Sequence, residues 1–491
     1  MYFLSEDPKH KLLEKIRTWG GYFVFLLTTA VIGILIILHY NGYSFTKSGE
    51  VMRTGFVTVT SNPVKAEVYL DGQKLKGTTY MRLDIPVGSH DFVVRAQGYQ
   101  EWNRNIVIEP SSIYWLDYIQ LYPKDLKSYA LQTLPKSSFK FIDEVYGKDR
   151  YFTASWQDSN LTLSLIDLNN RSSANIKSYP LTAASLGLAD GEQITDLKVQ
   201  EWNSSSNAAV LKLKTNVKEY SLFYDIDKPE SVINVTKDYG LAAEEMHFSY
   251  SNKKELFYSD AEANIRIINL DSKIITKPLV KSTDVETYLI KDQDNVYFVK
   301  NGSLFIKKYE KDEATKVADL PALTNRVLKL NSYDSIEYIV DYGESAEGKS
   351  VVNVWRINGD KIVSDYSAEL EGKITNYKLS RNARTVLFGT DKNDFATFIF
   401  GDKASGKFKL SGNISEAKWG GIFQIIYKTD DGFHLIDFTG DNDTLVSPDI
   451  TPYPTIIDSD FKNVFYLKDK TTGESAEPEL NLNAIDMRLN D

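Results

Sequence analysis

Between Arg17 and Lys47 the chain carries no Asp, Glu, Lys or Arg. Inside that window runs Tyr22-Phe-Val-Phe-Leu-Leu-Thr-Thr-Ala-Val-Ile-Gly-Ile-Leu-Ile-Ile-Leu38. A bilayer core takes roughly 20 apolar residues in helical form, and Trp19 to Tyr40 supplies them. A buried core helix is rarely apolar on every face over such a length. A cleaved signal peptide has a shorter apolar stretch and a small-x-small site after it, which His39-Tyr-Asn-Gly-Tyr-Ser-Phe45 does not offer. The expectation is an uncleaved transmembrane helix over residues 19–43, with Trp19, Tyr22, Tyr40 and Tyr43 at the two interfaces. Lys9, Lys11, Lys15 and Arg17 precede it, and only Lys47 and Arg53 follow at similar distance. The positive-inside rule therefore puts residues 1–18 in the cytoplasm and the remainder outside. Leu12, Leu13, Ile16 and Trp19 recur at helical spacing, which suits either an amphipathic helix on the inner leaflet or an inward extension of the span.

The rest of the composition narrows the partners. A length of 491 residues implies several domains. A net charge of −10 argues against nucleic acid, which needs clustered Lys and Arg. There is no Cys, so disulfides, thiolate metal sites, Cys nucleophiles and an N-terminal lipid on Cys are excluded. A cysteine-free exported chain fits a bacterium. Tyr (30) and Phe (24) far outnumber Met (5), a bias toward sheets.

After a linker at 44–54, the stretch 55–122 reads as short strands divided by turns. Phe56-Val-Thr-Val-Thr60 alternates, and Asp71-Gly72, Gly77 and Pro86-Val-Gly88 mark reversals. This implies a compact antiparallel sandwich. The stretch resembles the PEGA domain, a bacterial surface module. The likeness runs through Asn62-Pro-Val-Lys-Ala66, Val68-Tyr-Leu-Asp-Gly72, Gly77-Thr-Thr79, Ile85-Pro-Val-Gly-Ser-His90 and Ala96-Gln-Gly-Tyr99. Val64-Lys65 stand where the family has Glu-Gly, and Thr79-Tyr80 where it has Thr-Pro. The resemblance implies a surface spacer or wall-proximal module without catalysis. Gly72 and Gly88 suit positive φ, and His90 reads as a turn or packing residue.

From residue 127 to 491 a loose unit recurs. Clear copies are Phe248-Ser-Tyr-Ser-Asn-Lys-Lys-Glu-Leu-Phe-Tyr-Ser259, Leu379-Ser-Arg-Asn-Ala-Arg-Thr-Val-Leu-Phe-Gly389 and Trp419-Gly-Gly-Ile-Phe-Gln-Ile-Ile-Tyr427. First strands are expected near residues 139, 194, 244, 285, 325, 373, 414 and 453. Strand-rich units at a period of about 40 are the mark of a β-propeller, whose blades bury both faces only by closing a ring. Eight blades are expected, or seven if the last unit shares a blade with the first; two stacked sandwiches are the competing fold. The pattern Ser-x-(Asn/Asp)-x-(Lys/Arg)-x-Leu-Phe resembles Tol-associated and WD-like propellers, without the WD dipeptide.

No chemistry stands out. His10, His39, His90, His247 and His434 form no paired metal motif, no Gly-x-Ser-x-Gly elbow precedes a helix, and no phosphate-binding glycine loop occurs. Asp292-Gln-Asp294, Gly440-Asp-Asn-Asp443 and Asp458-Ser-Asp460 lack the calcium-loop spacing and read as hairpin turns. Trp202, Trp355 and Trp419 read as blade packing before ligand contacts. No catalytic, metal or cofactor residue is assigned, no cofactor is expected, and binding residues stay unassigned. The sequence thus describes a mainly β, non-enzymatic envelope protein. Its expected partners are the lipid bilayer and an envelope protein or cell-wall polymer. The alternative is an extracytoplasmic propeller enzyme acting on glycans or peptides.

Overall fold

The computed structural model describes residues 8–40, 43–45, 51–168, 173–241, 245–308, 311, 313–359, 361–470 and 478–489. The side chains of 8–16, 39, 44 and 45, and with them His10, His39 and the first three flanking lysines, lie outside the described residues, as does Lys47. The chain divides into two compact units, Met1–Asp125 and Leu126–Asp491.

In the first unit one unbroken helix spans Pro8–Tyr40. The helical spacing near Leu12 is thus continuous with the apolar run and makes no separate element. The stretch Arg17–Leu38 is long and apolar enough to cross a membrane, and its side chains are exposed rather than packed on a core. The Thr28 and Thr29 hydroxyls turn back to the carbonyls of Val24 and Phe25, at 2.8 and 2.9 Å. That satisfies the two polar side chains without water.

Two four-stranded sheets follow. In the first, Val51–Asn62 pairs antiparallel with Tyr43–Phe45 and Met81–Pro86, and parallel with Ile113–Gln120. The second has the order Gln73–Thr78, Glu67–Leu70, Gly88–Arg95, Trp102–Ile108, all antiparallel. Val57, Val59, Val68, Phe92, Val94, Trp102 and Ile108 fill the space between. The expected antiparallel sandwich therefore holds except at one pairing. Ile113–Gln120 arrives from the other sheet by the crossover Glu109–Ser112, not by a hairpin, and so can run parallel to its neighbour. Asp71 and Gly72, at φ 49° and 78°, make the two-residue turn between the paired Leu70 and Gln73. His90 lies 2.7 Å from the Asp71 carboxylate and 2.8 Å from the Pro86 carbonyl, pinning that turn to its neighbour.

The second unit is a β-propeller. Among the described residues it holds eight sheets, each a meander of four strands, one with its outer strand split in two. Sheet I spans Phe141–Leu181, sheet II Ile194–Asn234, sheet III Met246–Lys281 and sheet IV Thr287–Asp319. Sheet V spans Thr324–Leu370, sheet VI Ile374–Lys409, sheet VII Glu416–Ser447 and sheet VIII Thr455–Asp486. Every first strand begins within two residues of its expected position. The middle strands are buried on both faces, as Thr385–Thr390 and Asp394–Ile399 are throughout, because each sheet is covered by a neighbour on either side. The outer strands, such as Ser405–Lys409, alternate exposed and half-buried.

Sheet VIII has only three strands of its own, and Ser128–Pro135 completes it by pairing antiparallel with Glu479–Asp486. The borrowed strand precedes sheet I, so the sharing does not lower the number of sheets. Tyr151, Ile166 and Leu168 of sheet I pack on Ile456, Phe465, Leu480 and Leu482 of sheet VIII, which closes the ring.

Arg326 of sheet V is fully buried, 3.0 Å from the equally buried Asp341 and 3.3 Å from Glu286, which immediately precedes sheet IV. Burial pushes the Asp341 carboxyl up, with Arg326 opposing. Arg326→Leu leaves that carboxylate without a countercharge and is expected to cost about 3–5 kcal/mol in a denaturant titration. The double variant Arg326→Leu/Asp341→Leu recovers most of the loss. A single-variant cost below about 1 kcal/mol contradicts this assignment.

Candidate binding site at the centre of the propeller

The first strands of neighbouring sheets touch, which places them around the axis. Glu201 of sheet II lies 3.0 Å from His247 of sheet III, and Trp419 of sheet VII donates to the Lys378 carbonyl of sheet VI at 3.0 Å. Polar side chains of the first strands meet one another and Lys428 of the second strand of sheet VII.

On one side of the axis they form a continuous ionic chain. Lys418 Nζ lies 2.5 Å from Glu144 Oε2 and 2.7 Å from Glu416 Oε1. The other Glu416 oxygen is 2.6 Å from Lys428 Nζ, which also donates to the Tyr453 carbonyl. The chain thus joins sheets I, VII and VIII. Tyr146 of sheet I donates to the Leu379 carbonyl of sheet VI. Arg381 of sheet VI spans to Asp149 of sheet I and to the Ile457 carbonyl of sheet VIII, both at 2.7 Å. Sheets I and VI, which are not neighbours around the ring, are therefore tied directly across it. A cavity of about 20 Å³, room for about one water, remains between Glu144, Tyr146, Arg381, Lys418 and Thr455. Gly421 keeps it tight: a Cβ there would come within 2.8 Å of the Phe461 ring.

Burial raises the Glu144 carboxyl, with Lys418 working against it. Burial also opposes ionisation of Glu416, but the Lys418 and Lys428 ammoniums outweigh it and hold that carboxyl at about 2. Lys418 is pushed up because its two carboxylates overcome burial, whereas burial wins at Lys428 and lowers it. The asymmetry follows from the geometry: Glu416 faces two ammoniums and Glu144 one.

The residues singled out in the sequence lie elsewhere or serve packing. Trp202 packs edge-on to Phe152 at 5.6 Å, Trp355 sits in the core between sheets IV and V, and Trp419 is buried at the cavity wall. His434 stacks on Tyr427 at 5.0 Å, with Asp443 and Asp431 at 3.2 and 3.3 Å. Asp292 accepts from Asp294 N and Asn295 Nδ2, and Asp458 from Lys462 N and Asn463 N, as turn residues do. Among the described residues no cluster of His, Asp and Glu has the geometry of a metal site. Sequence reading missed Glu144, Glu416, Lys418, Lys428 and Arg381. The available signal was Glu416-Ala-Lys418, charged at alternate positions of a strand whose neighbours are apolar.

The comparisons divide along the same line as the units. The PEGA domain model matches residues 54–121. This stretch is thus similar to PEGA domains. No curated protein matches the chain. Among solved structures, the C-terminal WD40 domain of Sif2 is similar at TM-score 0.44 and 11% identity, covering 75% of this chain and 99% of that one. BamB from Moraxella catarrhalis is similar at TM-score 0.39 and 12% identity, covering 73% of this chain and 100% of that one. The computationally designed Ika8 protein has TM-score 0.41 and 11% identity, covering 73% and 98%. Likenesses this distant carry no weight for the fold, which rests on the sheet order and the closure.

Glu416 is held below its ordinary value of 4.5, so its stabilisation is full above about pH 4.5 and fades as pH falls toward 2. The melting-temperature gap between wild type and Glu416→Gln should be widest above that value and narrow on acidification. A gap that is constant or widens in acid contradicts the assignment. Lys418→Met, which strands the Glu144 carboxylate while Glu416 keeps Lys428, should cost about 3–5 kcal/mol.

Proposed function

We propose that the chain is a single-pass envelope protein whose propeller is a binding or scaffolding module. In this reading residues 1–18 are cytoplasmic, and the helix from residue 19 crosses the membrane and ends at Tyr40 rather than at the expected 43. The expected linker 44–54 gives way to the paired strands Tyr43–Phe45 and Val51–Asn62, which lead into the PEGA-like domain at 55–122, and 127–491 are an eight-bladed propeller. The N-terminus is inside and the ectodomain outside. The exposed apolar helix and the basic residues before it support the anchor. The PEGA match at 54–121 supports a surface location.

One observation carries the binding reading. Five ionisable side chains on this side of the axis are engaged in ion pairs within the protein: Glu144, Lys418, Glu416 and Lys428 form one chain, and Arg381 pairs with Asp149. They brace the ring, and a braced ring holds the loops at its ends rigid, which suits recognition. The partner is an envelope protein or a cell-wall polymer.

Two measurements test this. Full-length protein expressed in a bacterium should stay in the membrane pellet through alkaline carbonate and keep its N-terminal segment by mass spectrometry; loss of the first ~40 residues contradicts the anchor. Detergent-solubilised full-length protein, immobilised, should retain purified peptidoglycan or one envelope protein. Turnover of wall fragments or peptides without retention overturns the binding reading.

A further inference from the structure

The outer strand of sheet III is split into Ile274–Ile275 and Val280–Lys281. Pro278 lies between them and has no N–H for the ladder. Thr276 bridges the break, its N–H bonding the Ile267 carbonyl and its hydroxyl accepting from Ile267 N–H, both at 2.9 Å. The interruption opens a cleft of about 530 Å³ between sheets III and IV, lined by none of the axial residues. That volume falls in the range of ligand sites, roughly 300–1,000 Å³.

The walls have two characters. Phe298 and Phe305 stack at 5.5 Å and 12°, and with Pro278, Leu279, Val280 and Val285 they give the cleft an apolar lining. Among the described residues, Lys281, Lys300 and Lys307 also line it, with Asp284 the one carboxylate. Lys281 and Lys300 are exposed and, among the described residues, make no ion pair; Lys307 donates to the Leu279 carbonyl at 3.0 Å. Among the described residues the lining thus carries three cations and one carboxylate, on a chain of net charge −10.

From this we infer that the cleft is a docking site for an acidic peptide segment in which carboxylates bracket an apolar side chain. The apolar side chain rests on the Phe298–Phe305 pair and the carboxylates reach the lysines. A highly charged wall polyanion fits less well, since it gains nothing from the apolar walls formed by Phe298, Phe305, Leu279 and Val285. The site is separate from the axial one and extends the binding reading to the side of the ring.

The test is fluorescence anisotropy with full-length protein in a zwitterionic nanodisc and a fluorescein-labelled Glu-Leu-Glu-Phe-Glu peptide. Saturable, salt-sensitive binding is expected, weakened about tenfold by Lys281→Glu/Lys300→Glu at two exposed positions, with an unchanged melting temperature as the folding control. Phe305→Ala should weaken the same peptide with less effect on its salt dependence. No binding, equal affinity in the lysine variant, equal binding of Lys-Leu-Lys-Phe-Lys, or stronger binding of poly(glycerol phosphate) each overturns the proposal. Because the probe is a synthetic peptide, such a failure leaves the envelope capture result standing and the two readings are tested separately.

Discussion

The pairing of Ser128–Pro135 with Glu479–Asp486 is the constraint on which the rest of the propeller depends. Each sheet has two apolar faces, and an open stack would leave one exposed at each end. The pairing sets Leu134 against Leu480, brings Tyr466 within 2.6 Å of the Ser128 hydroxyl and places Lys136 2.7 Å from Asp469. It also positions Tyr151 to donate to the Pro454 carbonyl at 2.9 Å, across the seam between the first and last sheets. Burying side chains of this size stabilises by about 1.5–3 kcal/mol each, so the seam outweighs any single ionic contact at the surface.

Closure explains the axial chemistry. Once sheets VI, VII, VIII and I share one side of the axis, their inward polar side chains must find partners or stay buried without them. Glu144, Lys418, Glu416 and Lys428 solve this collectively, each carboxylate meeting at least one ammonium. Arg381 does the same for Asp149 and a strand-end carbonyl. Such a network contributes little net stability over an apolar core, but it is costly to break at one member, and it specifies which sheets face each other.

The parts legible in the sequence are those with local causes. First strands announce themselves by an alternating run that follows a turn, so positions such as 194 and 373 lie close to the observed Ile194 and Ile374. Asp71-Gly72 marks its hairpin because only left-handed residues make that turn. Long-range choices left no local trace. Ile113–Gln120 reads like any strand, yet runs parallel to Val51–Asn62. Lys418 and Glu144 are 274 positions apart, and nothing in either segment names the other. The cleft beside Pro278 shows in sequence only as a proline near lysines, a pattern common to ordinary loops.

Closure can be measured directly, because the natural chain has no cysteine. Thr133 and Asn481 are register partners across the seam, with side chains 3.0 Å apart. Such partners lie about 4.5–5.5 Å apart at Cα, inside the disulfide range. Thr133→Cys/Asn481→Cys in the full chain should oxidise completely, run faster on a non-reducing gel and melt at a higher temperature than its reduced form. A folded double variant that stays reduced under the same oxidant contradicts the closed ring.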